Sequence, residues 1–296
     1  EGSGMNILLD TLAYNTHYLG FNANMLANEM FLDSASLRSS VVSHAKSLGY
    51  EVSSPRAPIA VVNVSLDTSA STKTMSAGTA FTTSVDGTDY QFVTISDLTA
   101  SNTGSSVPFD SVNIYEGSYV TTRYTVDTSD VDQTFTLGDA NADTSTLTVK
   151  VQTSSSDTST TTYTKATDIT QLSSSSTVYY LQETDSGLYE VYFGDGVVSN
   201  AVSDGNIVIL QYVVTNKSLA NGANSFSSPT SIDSVTAVTT TTVSGAIGGA
   251  EAETIDSIKL NAPLDYASQG RAVTVDDYKT ITRKLFPNTQ AVSVWG

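Results

Sequence analysis

From Gly4 to about Asp33 the chain carries no proline, and its apolar residues fall on a seven-residue lattice. Leu9, Thr16, Ala23 and Met30 form one row, and Met5, Leu12, Leu19 and Leu26 form the adjoining row. The spacing predicts a helix of about 30 residues, roughly 45 Å long at 1.5 Å per residue. Such a seam wants a partner helix. Tyr14, Tyr18, Phe21 and Met25 form a second stripe beside it, so the apolar surface is wider than a two-stranded seam needs and suggests a multi-helix bundle. Gly20, mid-helix, costs about 1 kcal/mol relative to alanine. It points either to close approach by a neighbouring backbone or to a kink.

A second helix is expected from Ser36, with Leu37, Val41, Ala45 and Leu48 on one face and Gly49 ending it in a left-handed turn. Pro55 and Pro58 close the helical region. From Ile59 the period changes to two, with Ala60, Val62, Val64 and Leu66 alternating against Val61, Asn63 and Ser65. Short strands continue to about Val243: 80–84, 90–95, 111–115, 119–126, 147–152, 178–182, 188–193, 206–215 and 235–243. The Ser/Thr-rich run 153–176, which keeps Tyr163 and Ile169, reads as polar edge strands and loops. Ser244 to Gly249 looks like a hinge. Helical spacing then returns in Ile255, Ile258 and Ala262, with Pro263 as the stop. Thr274 with Asp277 makes a capping-box pattern for a last helix, whose Tyr278, Ile281 and Leu285 face inward. Pro287-Asn288 breaks that helix, and Gln290 to Trp295 reads as a strand.

The expected fold class is therefore α+β: long N-terminal helices, a central mostly antiparallel β domain of sandwich or barrel type, and a C-terminal helix-helix-strand segment. The expected division is 1–56, 57–244 and 245–296, the last truncated, in a fragment of a longer protein.

Composition narrows the function. The 13 basic and 30 acidic residues give a formal net charge of -17, so nucleic acid and anionic membrane surfaces are disfavoured as partners. With no cysteine, disulfides, thiolate zinc sites and cysteine nucleophiles are excluded together. No apolar run approaches the roughly 20 residues that span a bilayer.

Three runs carry a family resemblance. NILLDTLAYNTHYLGFNANMLANEMFLDSASLRSSVVSHAKSLGY resembles the helical region of the T4-like phage baseplate wedge protein family. YEVYFGDGVVSNAVSDGNIVILQYVVTNKSLANGAN, from Tyr189 to Asn224, resembles a hairpin-rich section shared by that family and the wider baseplate J-like group. GGAEAETIDSIKLNAPLDYASQGRAVTVDDYKTI, from Gly248 to Ile281, is similar to the group's C-terminal helical section. The resemblance implies a structural component of a contractile-tail baseplate in the virion, assembled in the host cytoplasm. It further implies two copies per wedge. The long helix would bundle with its twin and with a larger wedge partner, and the C-terminal part would link neighbouring wedges.

No catalytic, cofactor or metal site is expected. His17 and His44, the only histidines, fall inside predicted helices, His17 as a structural or polar contact and His44 as solvated or interfacial. Asp139, Asn141 and Asp143 mimic the opening of a calcium loop. The glycine at the sixth position is missing, however, and Lys150 stands at the twelfth, so an Asx-stabilised turn is the better reading. Phe193-Gly194-Asp195-Gly196 lacks the lysine and helix of a phosphate loop and reads as a tight turn. Glu251 and Glu253, after Gly245 to Gly249, repel anions and suggest helix capping. The carboxylate pairs Asp195/Asp204 and Glu183/Asp185 read as solvated turn residues, not a glycosidase pair.

The expected function is thus assembly, through Leu9, Leu12, Leu19, Ala23, Leu26 and Met30 with Tyr14, Tyr18 and Phe21 beside them. The alternatives are a baseplate component of a related contractile injection system, a carbohydrate-binding or adhesive β protein and, last, a glycoside-processing enzyme.

Overall fold

The computed structural model describes residues 4–130, 133–167, 171–285 and 291–295, and divides into two compact units, Glu1–Val52 with Thr254–Gly296, and Ser53–Glu253. In the first unit, α1 spans Gly4–Glu29 and α2 spans Arg38–Ser47. The helices α3, Ile255–Ser268, and α4, Val275–Leu285, complete it. The proline-free run folds as the single helix that its lattice predicts, ending a turn early at Glu29. The end is fixed by that residue's own side chain. The Glu29 carboxylate accepts hydrogen bonds from Ser36 N (2.8 Å), Ser36 Oγ (2.7 Å) and Leu37 N, capping the start of α2 with a negative charge where the helix dipole favours one. His44 closes the same corner from the other side, its Nε2 lying 2.8 Å from Glu29 O, so it is a structural contact and not a solvated one.

A small core binds α2 to α3: Val41, Val42, Ala45 and Val52 against Ile258 and Ala262, with Ala35 beneath. Leu37, expected on the inner face, is exposed, and Val42 is buried in its place. Gly49 takes the left-handed conformation as expected (φ 76°). Pro263 does not stop α3. Its ring removes one backbone donor, but burial of Ile258 and Ala262 against α2 holds the helix through it to Ser268. Thr254 caps α3, and the Thr274–Asp277 capping box forms as read, with Thr274 N to Asp277 Oδ2 at 2.7 Å and Asp277 N to Thr274 Oγ1 at 3.2 Å. Tyr278 is half exposed and not inward. Residues 291–295 form no strand, whereas the side chain of Leu285, the break at Pro287-Asn288, and Gln290 lie outside the described residues.

The second unit is built on strands. The first half of its chain supplies β1 (Ile59–Asp67), β2 (Thr72–Met75), β3 (Ala80–Val85), β4 (Thr88–Val93), β5 (Leu98–Ser101), β6 (Ser106–Glu116) and β7 (Ser118–Thr125). The second half supplies β8 (Phe135–Thr136), β9 (Ala142–Gln152), β10 (Thr160–Lys165), β11 (Val178–Glu183), β12 (Tyr189–Phe193), β13 (Ile207–Val214) and β14 (Val238–Ile247). They form a five-stranded sheet in the order β14-β1-β6-β4-β3, a seven-stranded sheet in the order β7-β13-β9-β10-β11-β12-β8, and a small β2-β5 pair. All described pairings are antiparallel except β10 with β11. The alternation in β1 is realised: Ala60, Val62, Val64 and Leu66 are buried with Phe81, Phe92 and Ile114, and Phe226 meets Phe92 edge-on at 4.9 Å. A separate core under the larger sheet gathers Phe135, Leu137, Tyr189, Leu210 and Tyr212.

Two expectations change here. The Ser/Thr-rich run is not an edge, because β10 lies inside its sheet between β9 and β11. Tyr163 makes this possible, buried edge-on against Phe193 at 5.2 Å; Ile169 lies outside the described residues. The expected hinge is mostly strand, since β14 continues through Ser244 and Gly245 to Ile247. Ala246 is fully buried and exchanges backbone hydrogen bonds with Gly222 and Ala223.

The ribbon β6-β7 passes from one sheet into the other, and Glu116-Gly117 is the crossing point. Gly117 has φ 122°, and a Cβ there would lie 2.1 Å from Val214 O, so the crossing requires glycine. Glu116 is fully buried, and its carboxylate accepts from Thr215 Oγ1 (2.7 Å), Asn216 N (2.8 Å) and Asn216 Nδ2 (2.7 Å). Asp143 plays a similar part nearby, accepting from Ala57 N at 2.8 Å and Ser145 N at 2.9 Å.

Glu116 and Glu29 each lead to a measurable expectation. Glu116→Ala leaves buried donors without their acceptor and is expected to lower stability by about 3 kcal/mol, read from urea unfolding. An unchanged midpoint would remove Glu116 from its bracing role. The Glu29 carboxyl is lowered from 4.5 to about 2, chiefly by its hydrogen bond from the Ser36 hydroxyl and then by Ser36 N. Because the folded value is depressed, its contribution is complete above about pH 4.5 and fades as pH falls toward 2. A carboxyl titration followed by NMR should place Glu29 well below the other glutamates, and Ser36→Ala should move it back up.

Candidate assembly surface

A helix meets its backbone hydrogen-bonding needs within itself, but it cannot bury its own side chains. In α1 none of the side chains is buried. Leu9 (56% exposed), Leu12, Leu19 (69%), Leu26 and Met30 stand open to solvent on one side together with Ala23. Met5 and Leu8 extend this row. Tyr14, Tyr18, Phe21 and Met25 are likewise exposed, and Ile7 joins them. At 100° per residue the two stripes stand about 150° apart, more opposed than adjacent. Thr11, Asn15, Asn22 and Glu29 lie in one gap between them, and Asn6, Asp10, His17, Asn24 and Asn28 lie in the other.

Details of the helix suit an apolar partner. Thr16, in the middle of the seam, returns its hydroxyl proton to Leu12 O at 2.8 Å, and Thr11 does the same to Ile7 O, so neither hydroxyl presents an unpaired donor outward. Tyr14 and Tyr18 are in ring contact at 4.7 Å, and the hydrogen bond between them raises the Tyr14 hydroxyl pKa. The helix runs unbroken through Gly20, where a Cβ would meet nothing of this chain within 4 Å. His17 is exposed. No helix among the described residues is long and apolar enough to cross a membrane.

The motifs considered as chemical sites become ordinary turns. Asp139 Oδ1 accepts from Asn141 N at 2.8 Å, and Asp143 is committed to Ala57 and Ser145. Among the described residues no three acidic or histidine side chains cluster to hold a metal. Asp195 accepts from Val197 N at 2.9 Å, which lowers its pKa, and Gly194 packs against Ser199 so closely that a Cβ would overlap its Oγ. Glu183 is buried rather than solvated, within reach of the Tyr189 hydroxyl, while Asp185 stays exposed. Glu251 pairs with Lys217 at 2.7 Å and Glu253 accepts from Ser53 N, so capping of α3 falls to Thr254 instead. Sequence reasoning passed over Glu29 and Glu116. Each looks like a common surface acid until the distant donors are in place.

Residues 1–50 match the family described as "Baseplate wedge protein gp6-like, helical domain", which is the segment containing α1. Residues 121–223 match "Bacteriophage baseplate wedge protein gp6, third domain". "Baseplate wedge protein gp6" of Enterobacteria phage T4 is 28% identical over 313 aligned positions, covering 97% of this chain and 46% of the relative, so the chain spans about half of that protein's length. A likeness to a chain of the anti-feeding prophage (AFP) baseplate, solved by cryo-EM, covers 95% of this chain and 52% of the other at 14% identity, but its TM-score of 0.31 carries no argument. With two family domains in order and a relative aligned along nearly the whole of this chain, the chain belongs to the T4-like phage baseplate wedge protein family.

Proposed function

We propose that this chain builds the wedge through α1, by pairing with a second copy of itself and with another wedge protein. Membership of the family makes it a structural component of the tail baseplate of the virion. The observation that carries the finer reading is the absence of any buried side chain on α1 despite its two apolar stripes. Covering the open part of one stripe contributes on the order of 1 kcal/mol per large side chain, or roughly 6 kcal/mol in all. Association costs about 4–15 kcal/mol in lost translational and rotational freedom. Each stripe therefore needs the matching apolar surface its partner buries in return, and two stripes about 150° apart cannot both be covered by one helix. That favours a bundle of at least three helices, with α1 flanked on two sides. The open position at Gly20 suits close approach by one of the flanking backbones.

A second contact, between neighbouring wedges, is assigned to the C-terminal part, where Leu260, Tyr266, Tyr278 and Trp295 are exposed. The proposal gives the chain no catalytic step.

The test is light scattering of the chain, alone and mixed with the other wedge proteins of the same phage. Wild type is expected to form a dimer or a mixed complex. Phe21→Asp and Leu19→Asp, one on each stripe, should each weaken assembly by at least thirtyfold, in line with the 2 kcal/mol or more carried by a central anchor. The β unit should keep its circular dichroism. Normal wedge formation by both variants would sink the proposal.

A further inference from the structure

The seven-stranded sheet has a face turned away from its core, and that face is hollow. Arg123 on β7 pairs across Ile209 on β13, which pairs in turn with Lys150 on β9, so two cations flank one apolar side chain in a single cross-strand row. In the next row Ile207 faces Gln152. These residues, with Gln211, Ser155 and Thr158, line a hollow of about 520 Å³. Ile209 is only 5% exposed although it lies on the outer face, so it forms a floor and not a ridge.

The charge of this hollow runs against the rest of the chain. With 30 acidic residues to 13 basic, a cation normally finds a carboxylate, as Lys73, Lys217 and Lys279 do. Arg123 and Lys150 make no ion pair with any described residue, and no aspartate or glutamate lines the hollow. Arg123 donates one long hydrogen bond, Nη1 to Gln152 Oε1 at 3.4 Å. Gln211 makes no side-chain hydrogen bond among the described residues.

We infer that this hollow is a docking site for an extended acidic segment of a partner protein. The two cation-bearing strands are separated by one intervening strand, placing their backbones about 10 Å apart at the usual strand spacing. Two carboxylates two residues apart in an extended chain share one face and lie about 7 Å apart, a gap that the flexible arms of Arg123 and Lys150 can close, whereas a lone carboxylate reaches only one cation fully. Ile207 and Ile209 accommodate the aliphatic stems between them. β7 is the edge strand of its sheet, so an approaching chain meets no further strand on that side. No aromatic ring lines the hollow, which disfavours a sugar, since sugars pack their C–H faces on such rings. A long polyanion such as nucleic acid is opposed by the net charge of -17. At about 0.15 M salt the screening length is ~8 Å, so distant carboxylates fade while contacts inside the hollow persist.

This site lies in the β unit and is independent of α1, so its test uses the chain alone and does not depend on wedge assembly. Fluorescence anisotropy would follow a labelled eight-residue peptide of alternating glutamate and serine, at 0.15 M and 0.5 M salt. Saturable binding is expected, weakened at least tenfold by Arg123→Gln with Lys150→Gln and again by the higher salt, but unchanged by Lys279→Gln. A peptide with glutamine for glutamate should not bind. Melting temperatures should agree among the variants, because both side chains sit outside the core. No saturable binding, equal binding by the double variant, or tighter binding of free glucuronate than of the peptide would overturn the inference.

Discussion

The β unit depends on one carboxylate. Glu116 sits where the ribbon β6-β7 leaves one sheet and enters the other, fully removed from water, and it holds the end of β13 through Thr215 and Asn216. Burying an ionised carboxylate is costly unless its oxygens are supplied with donors, and here three donors are at hydrogen-bonding distance. The adjacent Gly117 lets the Val214 carbonyl come so close that no other residue fits. Two separate apolar cores are thus held in register by a polar junction between them. Loss of that junction would leave each core intact but unaligned.

The helical unit faces the opposite problem. Its small core between α2 and α3 uses alanines and valines, and the large apolar side chains of α1 take no part in it. Glu29 and His44 fix the direction in which α1 meets α2, so the exposed stripes are presented from a defined corner instead of a loose tether. Fixing that corner in advance lowers the ordering cost of any association that α1 undergoes.

Charge connects the two units' roles. An acidic surface keeps a chain with this much open apolar area from indiscriminate association. It also makes every unpaired cation informative. Among the described residues most cation contacts end on a carboxylate or a backbone carbonyl, and the Arg123–Lys150 row departs from that habit at a hollow on the sheet.

The order of helix, strands and helix is legible in the sequence because hydrophobic period reflects local backbone geometry: alternation in Ala60 to Leu66 and the seven-residue lattice of α1 need no distant partner to be read. The open stripes of α1 were visible for the same reason. Residues whose role depends on remote chain were not. Glu116 acquires its donors about 100 positions away, Arg123 and Lys150 become neighbours only through β13, and Glu29 becomes a cap only when the chain turns back on it. Tertiary packing also overrode local signals, carrying α3 through Pro263 and β14 through the glycine-rich stretch, because buried Ala262 and Ala246 outweighed the local preference to break. The sequence by itself determined the order of helical and β regions and the two apolar stripes of α1. Strand order, the buried carboxylate and the basic hollow were decided by tertiary structure alone, since each rests on non-local pairings that no local period encodes.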